Sequence, residues 1–220
     1  MEKEKLMTHL KSFTEKMQDI WQEDLISIVA YGSFVGEKFA PRTSDINLVV
    51  LVKEVNADNL LISRRMIQHF HHKIRLVPLF LSVDFFRSSW DSFALEWNDV
   101  KSTYRILYGE DLIKDIKVEE SDLRLQLERE IKENLVRFQQ GLLFGLDITA
   151  LLLKSAKSFR LHLKTSQNLK LSNVLPDTTY LERIAELRRK RLKYGRSKWE
   201  DLAKEHLANL IKFAKSMEGR

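Results

Sequence analysis

The chain has 220 residues, 44% of them hydrophobic, and a net charge of +6. This length is enough for one large domain or two small ones. It contains no cysteine, which excludes disulfides and thiolate metal sites. It also has no apolar run of about 18 residues and begins with a charged segment, so we expect neither a membrane partner nor a signal segment, and a cytoplasmic location. The basic balance favours anionic partners.

The first half of the chain alternates between helical and strand patterns. Pro78 lies in one of the strand candidates and indicates an edge strand or a strand end. The predicted elements are, in chain order, a helix over 3–22, strands over 25–31 and 46–53, a helix over 56–72, a strand over 73–81, a short helix over 83–89, and strands over 93–97 and 104–108.

After Gly109 the pattern becomes helical. One helix begins near Ser121, Asp147 is a candidate cap for a second helix over 148–165, and Pro176–Asp177 opens a third that ends near Gly195. A last helix ends near residue 217. The sequence therefore predicts an α+β fold, with a mixed β-sheet flanked by helices in residues 1–115 and a C-terminal helical bundle in residues 116–220.

The most informative motif is a Gly32–Ser33 turn followed by Ser44–Asp45–Ile46–Asn47. Gly32 permits a backbone conformation in which a phosphate can approach closely, and backbone N–H groups after it favour an anion. Asp45 and Asn47 are two residues apart on a strand, so their side chains share one face. The pattern indicates metal-assisted phosphate chemistry, although Gly-Ser alone is a common turn and Ser44–Asp45 alone can cap one.

This motif resembles that of the nucleotidyltransferase superfamily (polymerase beta-like, of the kanamycin and minimal nucleotidyltransferase type), and is most similar to members that also read Ser-Asp-Ile-Asn. The resemblance implies a nucleotidyltransferase-like fold in which Gly32, Ser33 and Ser44 bind the nucleotide. It implies that Asp45, Asn47 and a third carboxylate bind Mg²⁺ or Mn²⁺. The implied reaction transfers a nucleoside monophosphate from NTP, with ATP expected, to a hydroxyl of a small molecule or protein. The helical half would shape the acceptor site or a homodimer contact.

The third carboxylate is expected on a strand beside Asp45. Glu96 is the first candidate, as a metal ligand or as the base that deprotonates the acceptor, and Asp91 and Asp99 are alternatives. A solvated edge glutamate is the other interpretation of Glu96.

Two cations lie in the spacer between the turn and the strand. Lys38 and Arg42 are candidate triphosphate ligands, since arginine binds phosphate with two N–H groups, but exposed loop cations are also common.

Asn47 leaves two functions open. An amide oxygen can bind a cation but adds no negative charge, so the chain is either a metal-dependent transferase or a nucleotide- or partner-binding protein without turnover. A third hypothesis, RNA binding by the basic segment 183–198, is less favoured than a solvated helix face.

Overall fold

The computed structural model describes residues 2–36, 39–40, 44–170, 178–190 and 196–217. The chain divides into two compact units, Met1–Asp122 and Leu123–Arg220. The predicted opening of a helix at Pro176–Asp177 and its end near Gly195 lie outside the described residues.

The first unit contains one sheet and four helices among its described residues. Helix α1 precedes the sheet, α2 connects two of its strands, and two short helices come before the last strand. The elements are α1 (Glu2–Trp21), β1 (Leu25–Tyr31), β2 (Ile46–Val52), α2 (Ala57–Ile74), β3 (Leu76–Ser82), α3 (Val83–Ser88), α4 (Ala94–Ser102) and β4 (Tyr104–Gly109).

The four strands form a mixed sheet in the order β3-β2-β1-β4. Strand β1 is antiparallel to both β2 and β4, whereas β2 and β3 are parallel and joined by α2. The predicted mixed sheet flanked by helices is therefore confirmed. Strand β3 lies at one edge of the sheet, which is one of the two positions that Pro78 indicated. An edge strand tolerates proline because one side of the strand needs no N–H donor.

Alternating side chains of the central strands bury two separate cores. Ile28 and Leu48 point toward α1 and α2, where Phe13 and Phe70 pack against them in one buried cluster. Val29, on the opposite face, belongs to a second cluster with residues of α3 and α4. Because Asn47 and Tyr31 have the parity of this second face, they lie on the side of the sheet that α4 covers.

The predicted strand over 93–97 is wrong. These residues begin α4, and the buried positions Ala94, Trp97 and Val100 recur every three residues, which is a helical rather than a strand spacing. The Trp97 indole N–H donates to the Ser89 hydroxyl at 3.0 Å, so the polar end of this buried ring has a partner. Consequently Glu96 lies on a helix.

The described part of the second unit is helical, which confirms the predicted helical half. Its helices are α5 (Glu120–Leu143, which begins just before the division between the units), α6 (Ile148–Asn168), α7 (Thr179–Lys190) and α8 (Arg196–Ser216). Asp147 caps α6 as predicted, accepting from the N–H groups of Thr149 and Ala150. Among the helices in the described ranges, none combines the length and the apolarity needed to cross a membrane.

Candidate functional site

The Gly32 turn follows directly from the end of β1. Gly32 has φ +73°, a conformation that side chains rarely adopt, and it starts the short 3-10 turn Gly32–Phe34. Its N–H donates to the Thr103 carbonyl oxygen at 3.1 Å, which fixes the turn against the chain before β4. The N–H of Ser33 has no acceptor in the described part of the chain, so it and the Ser33 hydroxyl are available to an anion.

Asp45 forms an ion pair with Arg75. The Arg75 Nε donates to Asp45 Oδ1 at 2.9 Å, and Nη2 of the same guanidinium lies 2.8 Å from the same oxygen. The two side chains are about half exposed, 46% for Asp45 and 49% for Arg75. Asp45 Oδ2 accepts no hydrogen bond from the described residues, so one carboxylate oxygen is bound by arginine and the other is open.

The ion pair follows from the pairing of β2 with β3. Ile46 is the register partner of Leu76, so the residues that precede these two strands, Asp45 and Arg75, lie side by side. The Ile46 N–H also donates to the Arg75 carbonyl oxygen at 3.0 Å. Arg75 was not predicted as a site residue, although charged residues of opposite sign, Asp45 and Arg75, precede two apolar runs in the sequence.

Asn47 lies next to the Gly32 turn. It is the register partner of Tyr31 on β1 and of Val77 on β3, and its side-chain nitrogen lies 3.8 Å from the position that a Cβ on Gly32 would take. The structure thus brings the turn and the Asp45–Asn47 pair to one edge of the sheet, at the ends where β1 stops and β2 begins.

None of the four described strands carries a carboxylate. The expectation that the third carboxylate lies on a strand is therefore wrong. The β3 residue beside Asn47 is Val77, and Glu96 belongs to helix α4. Within the ranges that the structure describes, no three His, Cys, Asp or Glu side chains gather closely enough to hold a metal ion.

Glu96 and Asp99 nevertheless lie on the same side of the sheet as Tyr31. Burial raises the pKa of the Tyr31 hydroxyl, and the negative charges of Asp99 and Glu96 raise it further. Asp91, the remaining alternative, accepts hydrogen bonds from the N–H and the hydroxyl of Ser92 at 2.6 and 3.0 Å, within a turn between α3 and α4.

Ser44, which precedes Asp45, is hydrogen-bonded to Ala40. Its N–H donates to the Ala40 carbonyl oxygen at 2.8 Å, and its hydroxyl oxygen accepts from the Ala40 N–H at 3.1 Å. Lys38 and Arg42 lie outside the described residues.

The same fold occurs in a solved adenylyl transferase. The structure of spectinomycin adenyltransferase AAD(9) from Enterococcus faecialis with ATP and spectinomycin aligns with a TM-score of 0.51 and 13% identity, over 93% of this chain and 99% of that one. No family model matches the sequence, and no curated protein matches it either.

Two further solved structures align with lower TM-scores. A nucleotidyltransferase-like protein from Exiguobacterium sibiricum 255-15 gives 0.37 at 15% identity, over 94% of this chain and 74% of that one. A mutant toxin–antitoxin structure, MntA-HpeT, gives 0.33 at 15% identity, over 48% of this chain and 77% of that one. On the strength of the spectinomycin adenyltransferase alignment, the chain has the nucleotidyltransferase fold.

Proposed function

We propose that this protein binds a nucleoside triphosphate, with ATP as the expected one, and transfers its nucleoside monophosphate to a hydroxyl group. The observation that carries the proposal is the edge at which the positive-φ turn at Gly32 lies beside Asn47, two residues after Asp45. The fold shared with a spectinomycin adenyltransferase whose structure contains ATP and spectinomycin supports it.

The residues at this edge fit one divalent cation, Mg²⁺ or Mn²⁺. Asp45 Oδ2 accepts no hydrogen bond from a described residue, and the Asn47 amide oxygen is a second hard ligand on the same face. A single carboxylate, already paired with Arg75, does not fit a site for two cations. When bound, the cation would neutralise charge on the phosphates.

The transfer forms a bond between the acceptor oxygen and the α-phosphorus and breaks the bond from that phosphorus to the bridging oxygen, so that pyrophosphate leaves. The Ser33 N–H and hydroxyl would bind phosphate oxygens at the turn. The carboxylate of Glu96 or Asp99, beside Tyr31, would accept the acceptor proton.

Incubation with α-labelled ATP and Mg²⁺ or Mn²⁺ tests this proposal. Spectinomycin serves as a small-molecule acceptor, and labelling of the protein itself tests a protein hydroxyl. Asp45→Ala should abolish transfer. Asp24→Ala should retain it, because Asp24 is 45% exposed in an ion pair with Lys53 at the opposite end of β2 and so is a matched control. Equal transfer by wild type and Asp45→Ala would refute the assignment.

A second function, nucleotide binding without turnover, is favoured by one observation. The carboxylate at the site is occupied by an arginine, and no described strand supplies another. This alternative predicts that NTPs raise the melting temperature of the protein to the same extent with Mg²⁺ and with EDTA, and that Asn47→Asp gains no transfer. Cation-dependent transfer by the wild-type protein would exclude it.

A further inference from the structure

Arg75 is fixed by its backbone at the junction between α2 and β3. It ends α2 in the left-handed region, with φ +56°, and its N–H donates to the His71 carbonyl oxygen at 2.8 Å. Its own carbonyl oxygen accepts from the Ile46 N–H at 3.0 Å. Because the main chain is bonded on both sides, the side chain starts from a defined position at the same edge as Asp45.

The guanidinium of Arg75 uses only part of its hydrogen-bonding capacity on Asp45. Nε and Nη2 both contact Asp45 Oδ1, which accounts for two of the five N–H donors of an arginine. Nη1 forms no hydrogen bond or ion pair with a described residue, and the side chain is 49% exposed. A pair of N–H groups on Nη1 and Nη2 is therefore available to an oxyanion while the ion pair stays formed.

The strand ends at this edge carry no net negative charge that would repel an anion. Asp45 and Arg75 neutralise each other, Asn47 is uncharged, and the neighbouring β3 position is Val77. A site with several carboxylates repels a triphosphate unless cations bind first. Here the carboxylate of Asp45 is neutralised by the guanidinium of Arg75.

We propose that Arg75 binds the triphosphate directly, and that Asp45 is the residue that positions its guanidinium. The proposal rests on the proposed function, because it assumes that an NTP binds at this edge. It assigns to an arginine side chain part of the charge neutralisation that would otherwise fall to a divalent cation. A measurable affinity for the triphosphate without any divalent cation follows from it.

Titration calorimetry in EDTA, with ATP and with inorganic tripolyphosphate as probes, tests this inference. Arg75→Gly is the informative variant because glycine adopts a positive φ without strain, so the fold should tolerate it. We expect both probes to bind the wild-type protein in EDTA and to bind Arg75→Gly roughly tenfold more weakly or worse, since charge-assisted hydrogen bonds are lost. Lys53→Ala removes a cation that is 52% exposed and paired at the far end of β2, and it should bind as wild type does.

Three outcomes would overturn the inference, and they separate it from the proposed function. Equal affinity of Arg75→Gly and wild type in EDTA would show that Arg75 does not bind phosphate. Binding of ATP with Mg²⁺ but not in EDTA would exclude the arginine role and leave the proposed function standing. An absence of ATP binding under both conditions would refute both.

Discussion

Acidification should destabilise the protein through His206. This histidine is fully buried in α8, where its Nε2 lies 2.8 Å from the Ser155 hydroxyl and its Nδ1 lies 2.9 Å from the Tyr180 hydroxyl. The rings of Phe138 and Phe159 pack against it edge-on. All four neighbours are uncharged, so nothing in this set stabilises an imidazolium.

Burial lowers the pKa of His206 from 6.5 to about 4. Above the unfolded pKa of 6.5 both states are neutral at this residue and the full stability is present. Between that value and about 4, the unfolded chain binds a proton that the folded chain does not, so the free energy of unfolding decreases as the pH is lowered. At about 1.4 kcal/mol per pKa unit, the total loss is ~3 kcal/mol.

Urea unfolding followed by circular dichroism, at a series of pH values between roughly 7.5 and 4, measures this loss. Other groups also titrate, so the informative quantity is the difference between variants. His206→Phe should lower stability at neutral pH, because it removes the hydrogen bonds that the imidazole makes with the Ser155 and Tyr180 hydroxyls, and should remove ~3 kcal/mol of the decline on acidification.

Tyr180→Phe is the matched control for the His206 prediction. It removes a hydroxyl from the same network but keeps the buried imidazole, so its stability should shift by a constant and keep the wild-type decline with pH. If His206→Phe and wild type lose the same free energy between neutral and acidic pH, burial does not hold His206 neutral and the reasoning is refuted.

Two other substitutions, Gly109→Ala and Asn47→Asp, test the geometry of the first unit, and Gly145→Ala in the second unit is the control for Gly109→Ala. Gly109→Ala should lower the free energy of unfolding in urea by about 3 kcal/mol or more, because Gly109 has φ +74° and a Cβ would collide with the Ile26 carbonyl group. Gly145→Ala should lower it by only ~1 kcal/mol, because Gly145 has a similar φ of +66° but open space around it. Equal costs would contradict this packing at β4. Asn47→Asp should tighten Mn²⁺ binding roughly tenfold in calorimetry, since it adds a carboxylate two residues from Asp45. An unchanged Mn²⁺ affinity would show that Asn47 does not face the cation.

Much of the fold was predictable because long apolar periods and turn residues agree with the final packing. Helix α1 has a clear helical period, and strand β2 is a short apolar run. Pro78 indicated an edge strand or a strand end, and β3 is an edge strand. The segment 93–97 was predicted wrongly because five mostly apolar residues fit a strand and a buried helix equally well. The helical spacing of Ala94, Trp97 and Val100 becomes decisive only once the second core is known.

The candidate site was predictable only where its residues are close in sequence. Gly32 and the Asp45–Asn47 pair follow from local pattern. Arg75 is 30 residues from Asp45, and their ion pair depends on the parallel register of β2 and β3, which periodicity does not fix. The absence of a carboxylate from the described strands likewise emerged only when Glu96 was found on α4.

If a nucleoside triphosphate binds at the edge formed by the Gly32 turn, Asp45 and Arg75, saturating ATP should protect the backbone there. Hydrogen exchange measured by mass spectrometry on the full chain, with and without saturating ATP, reports this protection. We expect slower exchange in peptides that cover residues 31–36, 44–48 and 74–77, and a smaller effect in Arg75→Gly. Protection confined to the helices of the second unit, with these three segments unchanged, would contradict it.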